Sequence, residues 1–287
     1  MKRFFPTVAA SALIVVGLAC GSAGGAEPLR LGGTGASLGL MRALSLDFVR
    51  SAPGIEAEIL PSLGSSGGIK AVHAGFVHVG TTSRALSAKE KALNVRPIPF
   101  VRSPIVFASS HRHPDGLTIE EIPRLYLDPS RRWHDGEPVT IIMRPARETS
   151  FTFLERHVPG LKDAFAAARS RPELTMAATD QDSAVMAQHV SGSLVILTLS
   201  QVITEKLNLR VLAINGIRPT ETDTAMDRYP FVNTVYLVVR PDASNATRRF
   251  LAFLATRAAR RIIARSGAAP LPIPLPISEN ASSSAAR

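Results

Sequence analysis

Apolar and polar positions along the chain switch repeatedly between a period of two and a period of about 3.6. Leu29-Arg30-Leu31 is strand-like and runs into Gly33-Thr34-Gly35-Ala36-Ser37. Leu38, Met41, Leu44 and Phe48 then recur on one helical face. Pro53-Gly54 marks a turn into a second strand over 56–60. The small residues Gly64-Ser65-Ser66-Gly67-Gly68 form a loop, followed by a short helix to residue 74, a strand over 76–80 and Thr81-Thr82-Ser83-Arg84. After a short charged helix over 87–93 comes a β-like run over 95–110. Its Pro97, Pro99 and Pro104 restrict it to an edge or a crossing position.

Further on, Thr118-Ile119-Glu120-Glu121 has the spacing of a capping box and opens a helix to about residue 125. Trp133-His134-Asp135-Gly136 reads as a turn. The buried run 139–143 ends in Arg144, with Glu148-Thr149-Ser150 at the next helix start. Asp180-Gln181-Asp182 precedes a helix over 183–189, and strands are expected over 194–197, 210–214 and 231–239, with a helix over 200–207. One last helix is expected over 245–266, with Phe250, Leu254, Ala258 and Ile262 on its inner face and Gly267 as its stop. Residues 270–276 are polyproline-like, the Ser/Ala tail from Ser278 has a disordered composition, and no internal repeat is visible. Strands alternating with helices predict a mainly parallel sheet covered on both faces, with ligands at the carboxyl ends of the strands.

Composition changes this picture at the N-terminus. Lys2 and Arg3, the apolar run 8–19 and the small residues 21–26 have the order of a secretory signal peptide, cut after Ala26. The run is too short to span a membrane. The single cysteine, Cys20, lies inside this leader, so the mature chain would hold no thiol; lipidation at Cys20 is the alternative processing. The 287 residues allow one large or two ordinary domains. The formal charge is +10, and +8 once Lys2 and Arg3 leave with a leader that contains no acid. An exported chain this basic attracts anions. One Trp, three Tyr and no basic run interleaved with aromatics argue against nucleic acid.

Four strand ends carry hydroxyl or glycine clusters: Thr34 to Ser37, Gly64 to Gly68, Thr81 to Arg84, and Arg144 with Thr149 and Ser150. Each alone is ordinary turn and cap chemistry. Together they suit a small oxyanion, which needs several donors per oxygen once taken out of water. Helix-start amides and neutral hydroxyls supply them, with Arg144 as a two-pronged anchor.

Other motifs fit less well. Gly33-Thr34-Gly35-Ala36-Ser37-Leu38-Gly39 has a dinucleotide-loop spacing, but no acid ends the second strand to hold a ribose. Gly64-Ser65-Ser66-Gly67-Gly68 contains the spacing of a nucleophile elbow on Ser66. That chemistry wants a later acid and histidine, and no histidine follows His189. Nor is it a phosphate-cradling P-loop, because Lys70 follows Ile69 and no Ser or Thr comes next. His111-Arg112-His113 lacks a third metal ligand in the sequence and reads as solvated surface. The arginines over 248–265 read as a solvated face, with membrane-surface docking as the alternative.

At Gly33-Thr34-Gly35-Ala36, Gly64-Ser65-Ser66-Gly67-Gly68, residues 79–87 and Arg144 with Thr149-Ser150-Phe151, the chain resembles the phosphate-type periplasmic solute-binding proteins of ABC importers. The resemblance spans about 29–270 and implies a two-lobed α/β fold of the type II periplasmic-binding-protein class. Each lobe would be a mainly parallel sheet flanked by helices, joined by two crossing strands. Lobe one would be 27–102 with 235–270, lobe two 103–234, and 271–287 a tail. Residue by residue it implies ligand contacts from Thr34, Gly35, Ala36 and Ser37, from Gly64, Ser65, Ser66 and Gly67, from Ser83 and Arg84, and from Arg144, Thr149 and Ser150. It implies a non-catalytic monomer without cofactor or metal, located outside the cytoplasm, with a membrane permease as partner. Binding of sulfate, delivery to a sensor, and a serine hydrolase on Ser66 are the alternatives. Two departures stand out. Ser83 occupies the place of an aspartate that accepts the ligand's proton, and Pro145-Ala146-Arg147-Glu148 replaces a glycine-rich turn. The first predicts a site short of a carboxylate, and hence more tolerant of unprotonated anions.

Overall fold

The computed structural model describes residues 27–113 and 116–274; the leader, Cys20, the tail from residue 275 and Pro114-Asp115 lie outside the described residues. In chain order the strands are β1 (Glu27–Gly33), β2 (Ile55–Ile59), β3 (Val79–Thr82), β4 (Arg96–Ser109), β5 (Gly116–Leu117), β6 (Thr140–Met143), β7 (Thr175–Met176), β8 (Ser193–Thr198), β9 (Arg210–Val211), β10 (Ala213–Ile214), β11 (Val232–Val239) and β12 (Ala269–Pro270). The helices are α1 (Leu38–Ser51), α2 (Gly64–His73), α3 (Glu121–Leu127), α4 (Thr149–His157), α5 (Leu161–Arg169), α6 (Asp180–His189), α7 (Leu199–Thr204), α8 (Glu221–Ala225), α9 (Asn245–Leu254) and α10 (Arg257–Arg265).

The main sheet runs β2-β1-β3-β11-β4-β8-β6-β7, with β9 and β12 also on β4. Pairs β1–β2, β1–β3, β6–β8 and β6–β7 are parallel, while β11 and β4 are antiparallel to their neighbours. The chain therefore makes two parallel halves and stitches them with β4 and β11. β4 pairs with β11 over 96–104 and with β8 over 105–108. Its prolines fit because a long strand that passes from the margin of one half to the margin of the other leaves one side of its backbone free of ladder bonds at Pro97 and Pro99. The side chains divide at the same place. One core gathers Leu29, Leu31, Met41, Phe48, Phe100, Val235 and Phe250; the other gathers Phe107, Tyr126, Phe151, Phe165, Val195 and Phe231.

Four local expectations are corrected. Gly64 to Gly68 is not a loop but the first turns of α2, opened by Gly64 in the left-handed region at φ 65°. The small residues are needed for approach: a Cβ on Gly68 would lie 2.6 Å from the Gly33 Cα, so α2 can sit directly on the end of β1. The expected charged helix at 87–93 shrinks to the single turn Glu90–Ala92. The expected strand over 210–214 is split between β9 and β10, which join different sheets. The single last helix is two, because the Thr256 side chain accepts a hydrogen bond from the Ala259 amide and restarts the helix there. The break moves the buried stripe by one residue, to Ala259 and Ile263 instead of Ala258 and Ile262. Helices α5 and α8 had no counterpart in the sequence reading.

Candidate binding site

The carboxyl ends of β1, β3 and β6 face one gap, and the segments that follow them close on it. A chamber of about 220 Å³ lies there. That is room for a small ion. Its near wall is Thr34 and Leu63, the α2 residues Gly64, Ser65, Ser66 and Gly67, and Arg84. Its far wall is Arg144, Pro145, Arg147, Glu148, Thr149 and Asp180. A wider groove of about 940 Å³, running past Ser83, Thr149, Arg156 and Lys162, adjoins it and is open to solvent.

The hydroxyls of the near wall are wired together. Ser83 N donates to Ser65 Oγ at 3.2 Å, Ser83 Oγ donates to Thr34 Oγ1 at 3.3 Å, and Ser65 Oγ lies 3.4 Å from Thr149 Oγ1 across the gap. Arg84 Nη2 donates to Ser66 Oγ at 2.7 Å, and the same guanidinium holds Glu90 two-pronged at 2.7 and 2.8 Å. Glu90 is thereby kept well below the usual carboxylate range, chiefly by its bonds with Arg84. Ser66 thus has a cation as its partner, and no histidine is hydrogen-bonded to it among the described residues; the nucleophile reading is left without a base.

The predicted residues do not all reach the chamber. Thr34, Gly64, Ser65, Ser66, Gly67, Arg84, Arg144 and Thr149 line it; Gly35, Ala36, Ser37, Ser83 and Ser150 do not. Ser37 Oγ turns inward onto Thr81 Oγ1 at 2.8 Å. Gly35 and Ala36 hold the opposite half of the molecule: Gln181 Nε2 donates to Gly35 O at 3.0 Å and Thr198 Oγ1 to Ala36 O at 2.9 Å. Contact there is so close that a Cβ on Gly35 would lie 2.4 Å from Asp180 Oδ2. The Ala36 amide, expected to face a ligand, belongs to this same seam, and its residue does not line the chamber.

Two carboxylates enter the gap that sequence reasoning did not assign to it. Asp180, the first residue of α6, is buried with its Oδ1 3.2 Å from Arg144 Nη1. Loss of hydration raises its pKa, opposed by Arg144 and by the Ala36 amide. Glu148, partly buried, caps α4, with its Oε2 accepting from Ser150 N at 2.8 Å and Phe151 N at 3.2 Å. Its pKa is pushed up to about 7, first by lost hydration and then by the charge of Asp180. Arg144, only 9% exposed, keeps Nε and Nη1 without a hydrogen-bond partner: the approach to Asp180 is close but badly angled. The expectation of a carboxylate-poor site is overturned. Position 83 lost an acid, but the turn after Arg144 and the start of α6 bring in two. The signal was present, since an acid immediately before Thr149-Ser150 is an N-cap and must point at the α4 amides.

His111 also departs from its reading as solvated surface. The residue is 6% exposed and its ring stacks on Trp133 at 5.3 Å. Its Nε2 lies 2.9 Å from Asp135 Oδ2 and 3.0 Å from Glu137 Oε2, so the turn after Trp133 delivers the acidic neighbours that the sequence order concealed.

The sequence matches the model of the PBP superfamily domain over residues 19–258. Among solved structures, a putative phosphate ABC transporter substrate-binding protein with bound phosphate from Clostridium perfringens is 16% identical. The match covers 85% of this chain and 100% of that one, with a TM-score of 0.73. PfluDING, a high-affinity periplasmic phosphate-binding protein bound with phosphate, is 13% identical over 86% and 91% of the two chains, with a TM-score of 0.63. An ABC-type phosphate transport receptor from Vibrio cholerae is 16% identical over 85% and 99%, with a TM-score of 0.57. At these identities the likeness is one of fold. A search of curated proteins finds no match to the sequence.

Proposed function

The chain belongs to the PBP superfamily, and from that premise we propose that it is an exported solute-binding protein that captures a tetrahedral oxyanion, phosphate first, for an ABC importer permease. The observation that carries this reading is the chamber between the two cores, lined by Ser65, Ser66 and Arg84 on one side and by Arg144 and Thr149 on the other. An ion enclosed there meets hydroxyls and an incompletely bonded guanidinium, the donor types that replace its water. The phosphate-binding neighbours support the same ligand class. In this reading lobe one is 27–102 with 235–270 and lobe two is 103–234. The leader directs the chain out of the cytoplasm, and the protein works as a monomer.

Titration calorimetry with phosphate on the mature protein tests the proposal. One saturable site is expected, and Ser66→Asp, which adds a carboxylate to the chamber wall, should weaken binding at least tenfold. A folded wild-type protein that binds neither phosphate nor sulfate would overturn it.

A further inference from the structure

Two main-chain donors that an oxyanion could use are already engaged by one of the chain's own carboxylates. Glu148 Oε2 sits on the amides of Ser150 and Phe151, at the start of the nine-residue helix α4. Asp180 stands against Arg144, its Oδ1 3.2 Å from Nη1. Glu148, Asp180 and Arg144 all line the chamber while Ser150 does not, so Glu148 stands at the chamber in front of the amides it holds. The charges that face Glu148 come from every element around it. Arg144 and Arg147 belong to the turn before α4, Asp180 opens α6, and Arg84 reaches across from the strand β3 side, where it is already paired with Glu90. Arg147 is exposed and screened by solvent. Buried Arg144 therefore faces two acids, and a fully deprotonated oxyanion would add further negative charge to a set that already leans negative.

Resting on the oxyanion reading, we propose that Glu148 sets which ions the cleft admits: its carboxylate holds the α4 amides, and an oxyanion takes them over only together with a proton. The proton resides on Glu148 or is donated to it by the ion. Protonated Glu148 can donate one hydrogen bond to the ion, and Arg144 gains the partners its Nε and Nη1 lack. An ion that brings its own proton, such as a hydrogen phosphate, satisfies this arrangement directly. A sulfate must draw the proton from solvent. The titration of Glu148 near neutral pH puts this exchange within reach of ordinary conditions.

Sulfate isolates the protein's share, because it carries no titrating proton between about pH 5.5 and 9. Wild-type protein is titrated with sulfate and with phosphate, in buffer pairs of different ionisation enthalpy, so that protons taken up are counted. Near pH 8, uptake of close to one proton per sulfate is expected, with sulfate affinity falling by up to ~tenfold per pH unit above neutrality. Glu148→Gln keeps an acceptor for the α4 amides; it should abolish the uptake, flatten the sulfate profile from pH 6 to 9 and tighten sulfate binding at pH 8.5 at least tenfold. Should that variant fold poorly, Asp180→Asn serves. Removing its charge should move the midpoint of the sulfate profile to lower pH. Sulfate binding without proton uptake, or a variant with the wild-type profile, overturns the role of Glu148 and leaves the oxyanion reading standing. Failure of both ions to bind at every pH overturns both.

Discussion

Arg144→Met removes the one buried cation that faces Asp180 and Glu148, and its effect should depend on pH in a defined direction. At 3.2 Å and an effective dielectric of about 20, the attraction between Arg144 and Asp180 is on the order of 5 kcal/mol before desolvation is subtracted. Removing one partner of such a pair typically costs about 3–5 kcal/mol, because the other is left buried and uncompensated. The acids can escape by taking protons. Both have pKa values raised by burial, so the folded chain binds their protons more tightly than the unfolded chain. Their penalty is accordingly absent below the unfolded pKa values, near 4, and grows as pH rises through the folded ones. Without Arg144 those folded values rise further. The loss in Arg144→Met should be no more than about 1–2 kcal/mol at pH 5 and reach about 3–5 kcal/mol at pH 8. The single tryptophan makes this measurable: Trp133 is buried in the core that holds Phe107, Tyr126 and Phe151 and donates from Nε1 to Gly192 O, so its fluorescence during urea denaturation follows that core. Arg144→Met/Asp180→Asn, which deletes the stranded charge as well, should recover about half of the loss at pH 8. An equal loss at both pH values, or no recovery in the double variant, would refute the electrostatic account of this cluster.

Gly35→Ala forces a Cβ to within 2.4 Å of Asp180 Oδ2 and 2.7 Å of Gln181 Oε1, both across the gap. Ion affinity should fall ~10–100-fold through disturbed contacts at Gly35 and Ala36, while Trp133-monitored stability stays within about 0.5 kcal/mol of wild type; unchanged affinity in calorimetry would remove the close approach from the account. Thr256→Ala deletes the cap that restarts the helix at α10. It should lower stability by about 1 kcal/mol and speed amide exchange at Ala259 without altering ion binding, which hydrogen exchange and calorimetry check separately.

The alternation of strands and helices, the crossing role of the proline-bearing β4 and the clustering of small and hydroxyl residues at strand ends were all legible in the sequence. Each follows from local chemistry: side-chain period, missing proline N–H groups, and the freedom of glycine to let two backbones meet, as at Gly33 and Gly68. A reading by residue type also found Arg144 and the capping position of Glu148, but treated the acids as helix-start residues and nothing more. Only the tertiary structure decided which donors stay open to the chamber. Ser37 turns into the core, the Gly35 and Ala36 backbone is used to hold the two halves together, and Asp180, thirty-six residues after Arg144, arrives beside it because β6 and the start of α6 end on the same side of one sheet. Charge balance in a gap is set by side chains that different segments deliver to one point, and their distances through space have no counterpart in their spacing along the chain.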